Sequence, residues 1–458
     1  MGYPDGPGME AALTAAKAAR DAGHSAVVVR RALANVLNAP QDYADDDLYG
    51  PVAAALTTTM PDAPTEYAWN DSLTYAAWGE DDVDDAAREQ MTNACRLPIS
   101  VAGALMPDAH LGYGLPIGGV LATENAVIPY AVGVDIACRM MLSVFDVPVG
   151  DLASKQDRFR GVIERNTAFG IGASFSRPRD HAVMDDDWTV TPFTRTVKDL
   201  ARKQLGSSGS GNHFVEFGEF TVDAPSSLGL APGTYLALLS HSGSRGPGAK
   251  TADHYSRLAM KLHPNLPREL RHLAWLDLDA EGAEYWAAME MMGKFASANH
   301  HVIHESVARS LGEQPLTQIE NHHNFAWKEE HDGREVVVHR KGATPAGRGV
   351  LGIIPGSMAS PAYVVEGLGE PASLNSAAHG AGRRMSRTQA KRKFRWPEIQ
   401  QLLHDRGVTL ISAGLDEVPQ AYKNIDAVMA AQRTLVKPLA RFMPRLVKMA
   451  PAGERPED

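Results

Sequence analysis

The chain has 458 residues, 44% hydrophobic and 22% charged, with a formal net charge of −10. That balance fits a folded protein and excludes a chain coated with positive charge for nucleic acid, although a local basic patch can still hold phosphate. No apolar run approaches the ~18 residues of a membrane span, no basic-then-apolar leader opens the chain, and two cysteines, Cys95 and Cys138, cannot staple a secreted scaffold; a cytoplasmic enzyme with no membrane partner is the expectation.

Residues 9–37, rich in Ala, Val, Leu, Lys and Arg and broken at Gly23, predict two helices, and 49–57 a third. Pro61 and Pro64 then punctuate a linker, which makes residues 1–64 a small helical N-terminal unit with nothing catalytic in it. From about residue 84 the texture changes. A helix over 85–95 precedes short apolar strands at 101–107, 140–147, 235–240 and 336–339, separated by long glycine-rich loops. The longest helix, 281–311, repeats Tyr285, Met289, Met292, Ala296, Ile303 and Val307 near helical spacing. A last helix from about 424 carries Arg433, Lys437, Arg441, Arg445 and Lys448, and residues 451–458 read as a disordered tail. Strands and helices mix without a βαβ rhythm. The predicted fold class is therefore α/β in an irregular α+β form, one large core over 65–450 with mixed sheets.

Four turns put chemistry beside glycine, serine or asparagine. Asp135 and Cys138 in GVDIACRM can aim a carboxylate and a thiolate at one ion; read alone, Cys138 is a small buried hydrophobe. GSSGSGNHFVEF (206–217) presents Asn212, His213 and Glu216, SHSGSRGPG (240–248) presents His241 and Arg245, and IENHHNF (319–325) presents His322, His323 and Asn324. Imidazoles with a carboxylate suit Mn²⁺ among other metals, whereas the bland alternative has these histidines capping turns. His300 and His304 lack the zincin glutamate, Gly243 to Lys250 is not a P-loop because Ala249 intrudes, and no K-x-D-G ligase lysine exists; a chain that activates a nucleotide would need another nucleophile, and histidine can serve. His379 is the candidate. It sits in SLNSAAHGAGRRMSRTQAKRKFR (373–395) before the flexible Gly380-Ala381-Gly382 and a basic segment, where a surface loop running into a basic helix is the alternative. HRKGATPAG (339–347) adds Arg340 and Lys341, and the Pro355-Gly356-Ser357-Met358 turn offers amides and a hydroxyl to a nucleobase or phosphate.

These segments, in this order and over about residues 84–430, closely resemble the RtcB family of GTP-dependent RNA ligases; MPDAHLGYGLPIGGV and DEVPQAYKNID belong to the same match. The resemblance implies an RtcB-like core around a deep cleft with two Mn²⁺ ions, with GTP as cosubstrate. Asp135, Cys138 and His213 would hold one ion, and Cys138, His241 and His323 the other, the thiolate bridging. His379 would accept GMP. Asn212, His213, Glu216, Asn324, the turn Pro355, Gly356, Ser357 and Met358, the loop His379, Gly380, Ala381 and Gly382, and Tyr422 would contact the guanylate. Arg245, Arg340, Arg383 and Arg387 are the candidates for phosphate. The implied reaction joins RNA 3′-phosphate or 2′,3′-cyclic phosphate ends to 5′-hydroxyl ends, in RNA repair or tRNA processing. Broken RNA is the implied partner, and an accessory activator protein is left open.

Four departures from the family pattern stand out. Ala137 and Arg139 replace glycines of the metal turn, Ala362 replaces a serine that touches nucleotide, and the terminal Lys-Gly is absent, with Lys448 the nearest stand-in for its guanine contact. They motivate the rival reading, a non-ligating RNA-end-binding paralogue; a metal-dependent phosphoesterase is the third.

Overall fold

The computed structural model describes residue 3 and residues 7–38, 40–58 and 66–454. The expected linker prolines Pro61 and Pro64 lie outside the described residues. The chain divides into two compact units, one running to Glu66 with Leu262–Asn265, the other Tyr67–Lys261 with the residues from Leu266 onward. In the first, helices Pro7–Asp21, Ala26–Asn38 and Gly50–Thr58 bury a small core that includes Ala15, Ala19, Leu33, Val36 and Val52. Among the described residues no helix is long and apolar enough to cross a membrane.

The second unit is built on two sheets. The smaller has five strands in the order Ala76–Ala77, Ser100–His110, Ile117–Thr123, Arg334–Lys341 and Phe325–His331. The larger runs Leu351–Ile354, Ala362–Gly367, Val436–Met449, Phe214–Val222, Gly233–Ser242, Arg139–Phe145 and Pro315–His322, with Thr409–Ser412 added beside Val436–Met449. Alternate residues of its central strands serve two cores, as the period of two requires. Phe145, Phe217, Leu236 and Leu238 pack with Ile303, Val307 and Leu311 of the helix Glu281–Leu311. Met140, Leu142, Phe220, Leu239 and Phe442 pack on the other face. Helices and mostly antiparallel sheets in one unit make the irregular α/β fold expected.

Two expectations near the C-terminus need correction. The helix begun at residue 424 stops at Ala431, and the residues assigned to its continuation form the strand Val436–Met449. Pro438 and Pro444 cannot donate in a helix and break it. Burial alternates instead, with Ala440, Phe442, Pro444 and Leu446 inward. A central strand tolerates the prolines because its pairing is irregular there: the register shifts between Val364 and Val365 opposite Pro438, and between Pro444 and Leu446. Of the tail expected to be disordered, residues 451–454 form a turn, and the Glu454 carboxylate accepts the Ile171 N–H at 3.3 Å; residues 455–458 lie outside the described residues.

Candidate functional site

The larger sheet assembles the metal candidates by its topology. His213 immediately precedes the strand Phe214–Val222 and His241 lies at the end of the next, Gly233–Ser242. Cys138 precedes Arg139–Phe145, and His323 follows Pro315–His322. Because these four neighbours are antiparallel, a residue at the start of one and at the end of the next fall at the same end of the sheet. Cys138 Sγ lies 3.0 Å from His241 Nε2 and 3.3 Å from His213 Nε2. His241 Nε2 is 3.2 Å from His323 Nε2, and Asp135 Oδ2 is 3.1 Å from His213 Nε2. Two overlapping ligand sets result, Asp135–Cys138–His213 and Cys138–His241–His323, sharing the one thiol.

Second partners aim these groups. His241 Nδ1 faces the Asn212 carbonyl at 3.3 Å and His213 Nδ1 the Ser208 carbonyl at 3.1 Å, which leaves both Nε2 lone pairs for an ion. Arg245 Nη1 also lies 3.0 Å from His213 Nδ1. An Nδ1–H cannot accept from it, so the tautomer that ligates is the one bonded to Ser208. Burial and neighbouring imidazoles push His241 down to about 3 and His323 well below the ordinary histidine value, so both rest neutral, the form that binds metal. Burial would raise Asp135, but its contact with His213 and the Arg245 charge hold it well below the usual range, an ionised ligand. One thiolate, three imidazoles and one carboxylate on converging atoms fit a pair of transition-type ions.

Asn299 ties the loops that carry these ligands. Its Oδ1 accepts the Gly206 N–H at 2.7 Å, and its Nδ2 donates to the Ser207 carbonyl at 3.0 Å and Ser242 Oγ at 3.2 Å. Ala137, where the family pattern has glycine, sits at φ 55°, a left-handed conformation that costs a residue with a Cβ about 1–2 kcal/mol.

The second half of the site joins a residue of the smaller sheet to the end of a separate two-stranded pair, Ala343–Pro345 with Ser376–Ala378. His379 follows the strand Ser376–Ala378, and its ring lies 4.9 Å from that of His323. Asp108, fully buried in Ser100–His110, accepts through one oxygen from His379 Nδ1 at 2.7 Å, the His379 N–H at 3.2 Å and the Gly380 N–H at 3.3 Å. A carboxylate so placed fixes Nδ1–H and leaves Nε2 as the nucleophilic nitrogen. Asp108 stands in the quoted MPDAHLGYG segment, yet no sequence spacing links it to a histidine 271 residues away.

One cleft, with about 1120 Å³ of empty space, is lined by both halves: Asp135, Cys138, His213, His241 and His323, and also Asn212, Glu216, Asn324, Pro355–Met358, His379–Gly382 and Tyr422. Burial raises Glu216 well above the ordinary carboxyl value, so it enters the cleft as a neutral donor. Asn324 joins the halves, its Oδ1 accepting the Gly342 N–H at 2.7 Å and its Nδ2 reaching the Asp135 carbonyl at 3.4 Å.

Lys448 is not brought there. Val447 and Met449 line the cleft, and the alternation of the strand sends Lys448 the other way, where its Nζ donates to Thr167 Oγ1 at 3.0 Å. Ala362 does line the cleft, and Ser360, whose hydroxyl lies 2.5 Å from that of Ser357, lines it too. Arg340 is not a phosphate ligand: its buried guanidinium bonds Glu329, Ser376 Oγ and the Leu374 carbonyl. Arg383 and Arg387 are engaged with Glu417 and Asp416, and Tyr422 Oη donates to Glu417, a cleft residue that the sequence reading passed over. Arg139 lies 3.0 Å from Glu320, and neither residue lines the cleft. His322 packs edge-on to Phe325 and tilted against Trp327, away from His323, as consecutive residues of an extended chain do. His300 and His304 are buried on the long helix around Ser240 Oγ, at 3.0 and 2.8 Å.

Against this geometry, the family description "tRNA-splicing ligase RtcB" matches residues 90–191 and 183–449. The chain belongs to the RtcB family. The "RNA-splicing ligase RtcB" of Escherichia coli (strain K12) is 35% identical over 390 residues, covering 78% of this chain and 92% of that protein. The "tRNA-splicing ligase RtcB" of Thermococcus kodakarensis is 32% identical over 419 residues, covering 75% and 86%. The "RNA-splicing ligase RtcB" of Mycobacterium tuberculosis is 33% identical over 427 residues, covering 78% and 98%. The RtcB match thus spans the second unit, and both halves of the cleft fall within it.

Proposed function

We propose that the protein is a GTP- and Mn²⁺-dependent RNA ligase that joins 3′-phosphate or 2′,3′-cyclic phosphate ends to 5′-hydroxyl ends through a histidine–GMP intermediate. The observation that carries the proposal is His379, held through Nδ1 by buried Asp108 beside the two ligand sets that share Cys138. Membership in the RtcB family supports an RNA substrate.

In this reading Asp135, Cys138 and His213 would hold one Mn²⁺ ion and Cys138, His241 and His323 the other. Bound there, the ions would neutralise phosphate charge and polarise the phosphoryl group. The chain does the rest. Asp108 keeps the proton on Nδ1, so Nε2 of His379 attacks the α-phosphorus of GTP and pyrophosphate departs. Asn212, Glu216, Asn324, Tyr422, the Pro355–Met358 turn and the His379–Gly382 loop hold the guanylate. An oxygen of the RNA 3′-phosphate then takes GMP from His379, and the 5′-hydroxyl of the second strand displaces GMP to close the phosphodiester. Positioning and charge carry most of such a phosphoryl transfer.

RNA repair or tRNA processing in the cytoplasm is the setting we assign, with an accessory activator left to assay. One of the departures that motivated a non-ligating paralogue, Arg139, lies off the site, whereas Lys448, the nearest stand-in for the absent terminal lysine, does not reach the cleft. Labelled GTP with Mn²⁺ tests the proposal: wild type becomes labelled, His379→Ala does not, and broken RNA is joined. Phosphate release without GTP would instead make the protein a phosphoesterase.

A further inference from the structure

The loop Leu111–Pro116 connects the strands Ser100–His110 and Ile117–Thr123, and three contacts fix its backbone. Gln90 brackets Gly112, donating to its carbonyl at 2.7 Å and accepting its N–H at 3.0 Å. Lys341 Nζ donates to the Tyr113 carbonyl at 2.5 Å. Gly114, at φ 70°, lies so tight on its neighbour that a Cβ would come within 2.9 Å of the His272 carbonyl oxygen. Despite this anchoring, Leu111 is 58% and Tyr113 67% exposed. Their exposure is therefore not a product of a loose backbone.

The loop belongs to the rim of the cleft. Its flanking residues His110 and Ile117 line the cleft, as does Gly342, next to the Lys341 that anchors it; a Cβ on Gly342 would come within 3.1 Å of His379 Cε1. Around Tyr113 stand two rings, Tyr130 with centroids 6.4 Å apart at 72° and His272 at 5.8 Å and 69°, so neither lies parallel on its face. An aromatic side chain 67% exposed at the rim of the cleft suits single-stranded nucleic acid, whose bases stack on aromatic rings whatever their identity.

We propose that Tyr113, with Leu111 beside it, is a stacking platform for an unpaired base at the RNA end presented to His379. The proposal rests on the RNA-ligase reading and adds a subsite to it. The platform reads the presence of a base and not its sequence, and it keeps the terminal nucleotide from swinging away from the cleft.

The test uses the full chain with Mn²⁺ and a fluorescent single-stranded RNA ending in a 3′-phosphate, read by anisotropy. Tyr113→Ala is expected to weaken binding roughly 5- to 100-fold and Tyr113→Phe to keep it. An abasic terminal nucleotide is expected to cost the wild type a similar factor and Tyr113→Ala nothing further, since the two changes remove one contact. The abasic arm needs no variant and decides the matter if Tyr113→Ala fails to fold. Self-guanylylation, which involves no RNA, is run alongside. Equal binding by wild type and Tyr113→Ala, an abasic penalty of the same size in both, or self-association of the chain that Tyr113→Ala abolishes would each overturn the platform. A wild type that guanylylates and binds RNA with no effect of the abasic end loses the platform alone. A wild type that does neither loses the ligase reading and the platform with it.

Discussion

Replacing Asp108 by Asn isolates what the carboxylate contributes behind His379. The side chain is fully buried and one oxygen collects three N–H donors, the closest being His379 Nδ1 at 2.7 Å. Asn has the same shape. With its carbonyl oxygen in that place it keeps all three bonds, whereas its amide turned inward would set donor against donor three times, so the first orientation wins and the loop stays in place. What disappears is the charge. As Nε2 bonds to phosphorus the imidazole becomes cationic, and a hydrogen bond between charged partners contributes ~1.5–3 kcal/mol against ~0.5–1.5 for neutral ones. The hydrogen bond alone thus accounts for about 1–2 kcal/mol. Including the lost charge beside the imidazolium, guanylylation slows roughly 10- to 10³-fold. Single-turnover transfer of labelled GMP at saturating GTP and Mn²⁺ measures it, with half-saturation by GTP moving less than about threefold because Asp108 does not line the cleft. A rate within about threefold of wild type, or a loss confined to GTP binding, would refute the role given to Asp108.

Other substitutions separate structure from chemistry. Arg340→Met strands Glu329 and is expected to cost roughly 2–4 kcal/mol in denaturant unfolding while the folded fraction guanylylates at the wild-type rate; a stable, inactive variant would return Arg340 to phosphate binding. Asn299→Ala frees the two Ser/Gly loops and should weaken Mn²⁺ binding ~10- to 100-fold by calorimetric titration; unchanged affinity contradicts the clamp. Ala137→Gly removes about 1–2 kcal/mol of left-handed strain and adds ~0.4–1 of unfolded-state entropy, so it should stabilise the fold by roughly 0.5–1 kcal/mol, and destabilisation would contradict the strain. Burial lowers Lys341 to about 7. The unfolded chain therefore binds one more proton than the folded one between about pH 7 and the ordinary lysine value, and stability from this group rises with pH across that window and is flat below it. In Lys341→Met the slope should fall by up to ~1.4 kcal/mol per pH unit there; an unchanged slope would mean the ammonium is solvated.

The candidate ligands His213, His241 and His323 stood out in the sequence because each sits beside serine or asparagine in a turn, and such turns are where strands end. That they meet at one end of one sheet depended on antiparallel pairing across more than a hundred residues, which local pattern does not encode. Asp108 was hidden for the same reason: an acid inside an apolar strand has no local signature of its partner. Arg340 and Lys448 misled because a cation in a motif looks alike whether it faces a ligand or a buried carboxylate, and strand alternation decides which. The misplaced C-terminal helix came from reading spaced cations as a helical face and passing over Pro438 and Pro444, which a bulged strand accommodates and a helix does not.

The most direct measurement is mass spectrometry of the protein after incubation with GTP and Mn²⁺, followed by addition of broken RNA. The account predicts one GMP per chain, localised to His379, absent from His379→Ala, and discharged as the 3′-phosphate and 5′-hydroxyl ends are joined. GMP carried on any other residue, or joining that proceeds in His379→Ala, would contradict it.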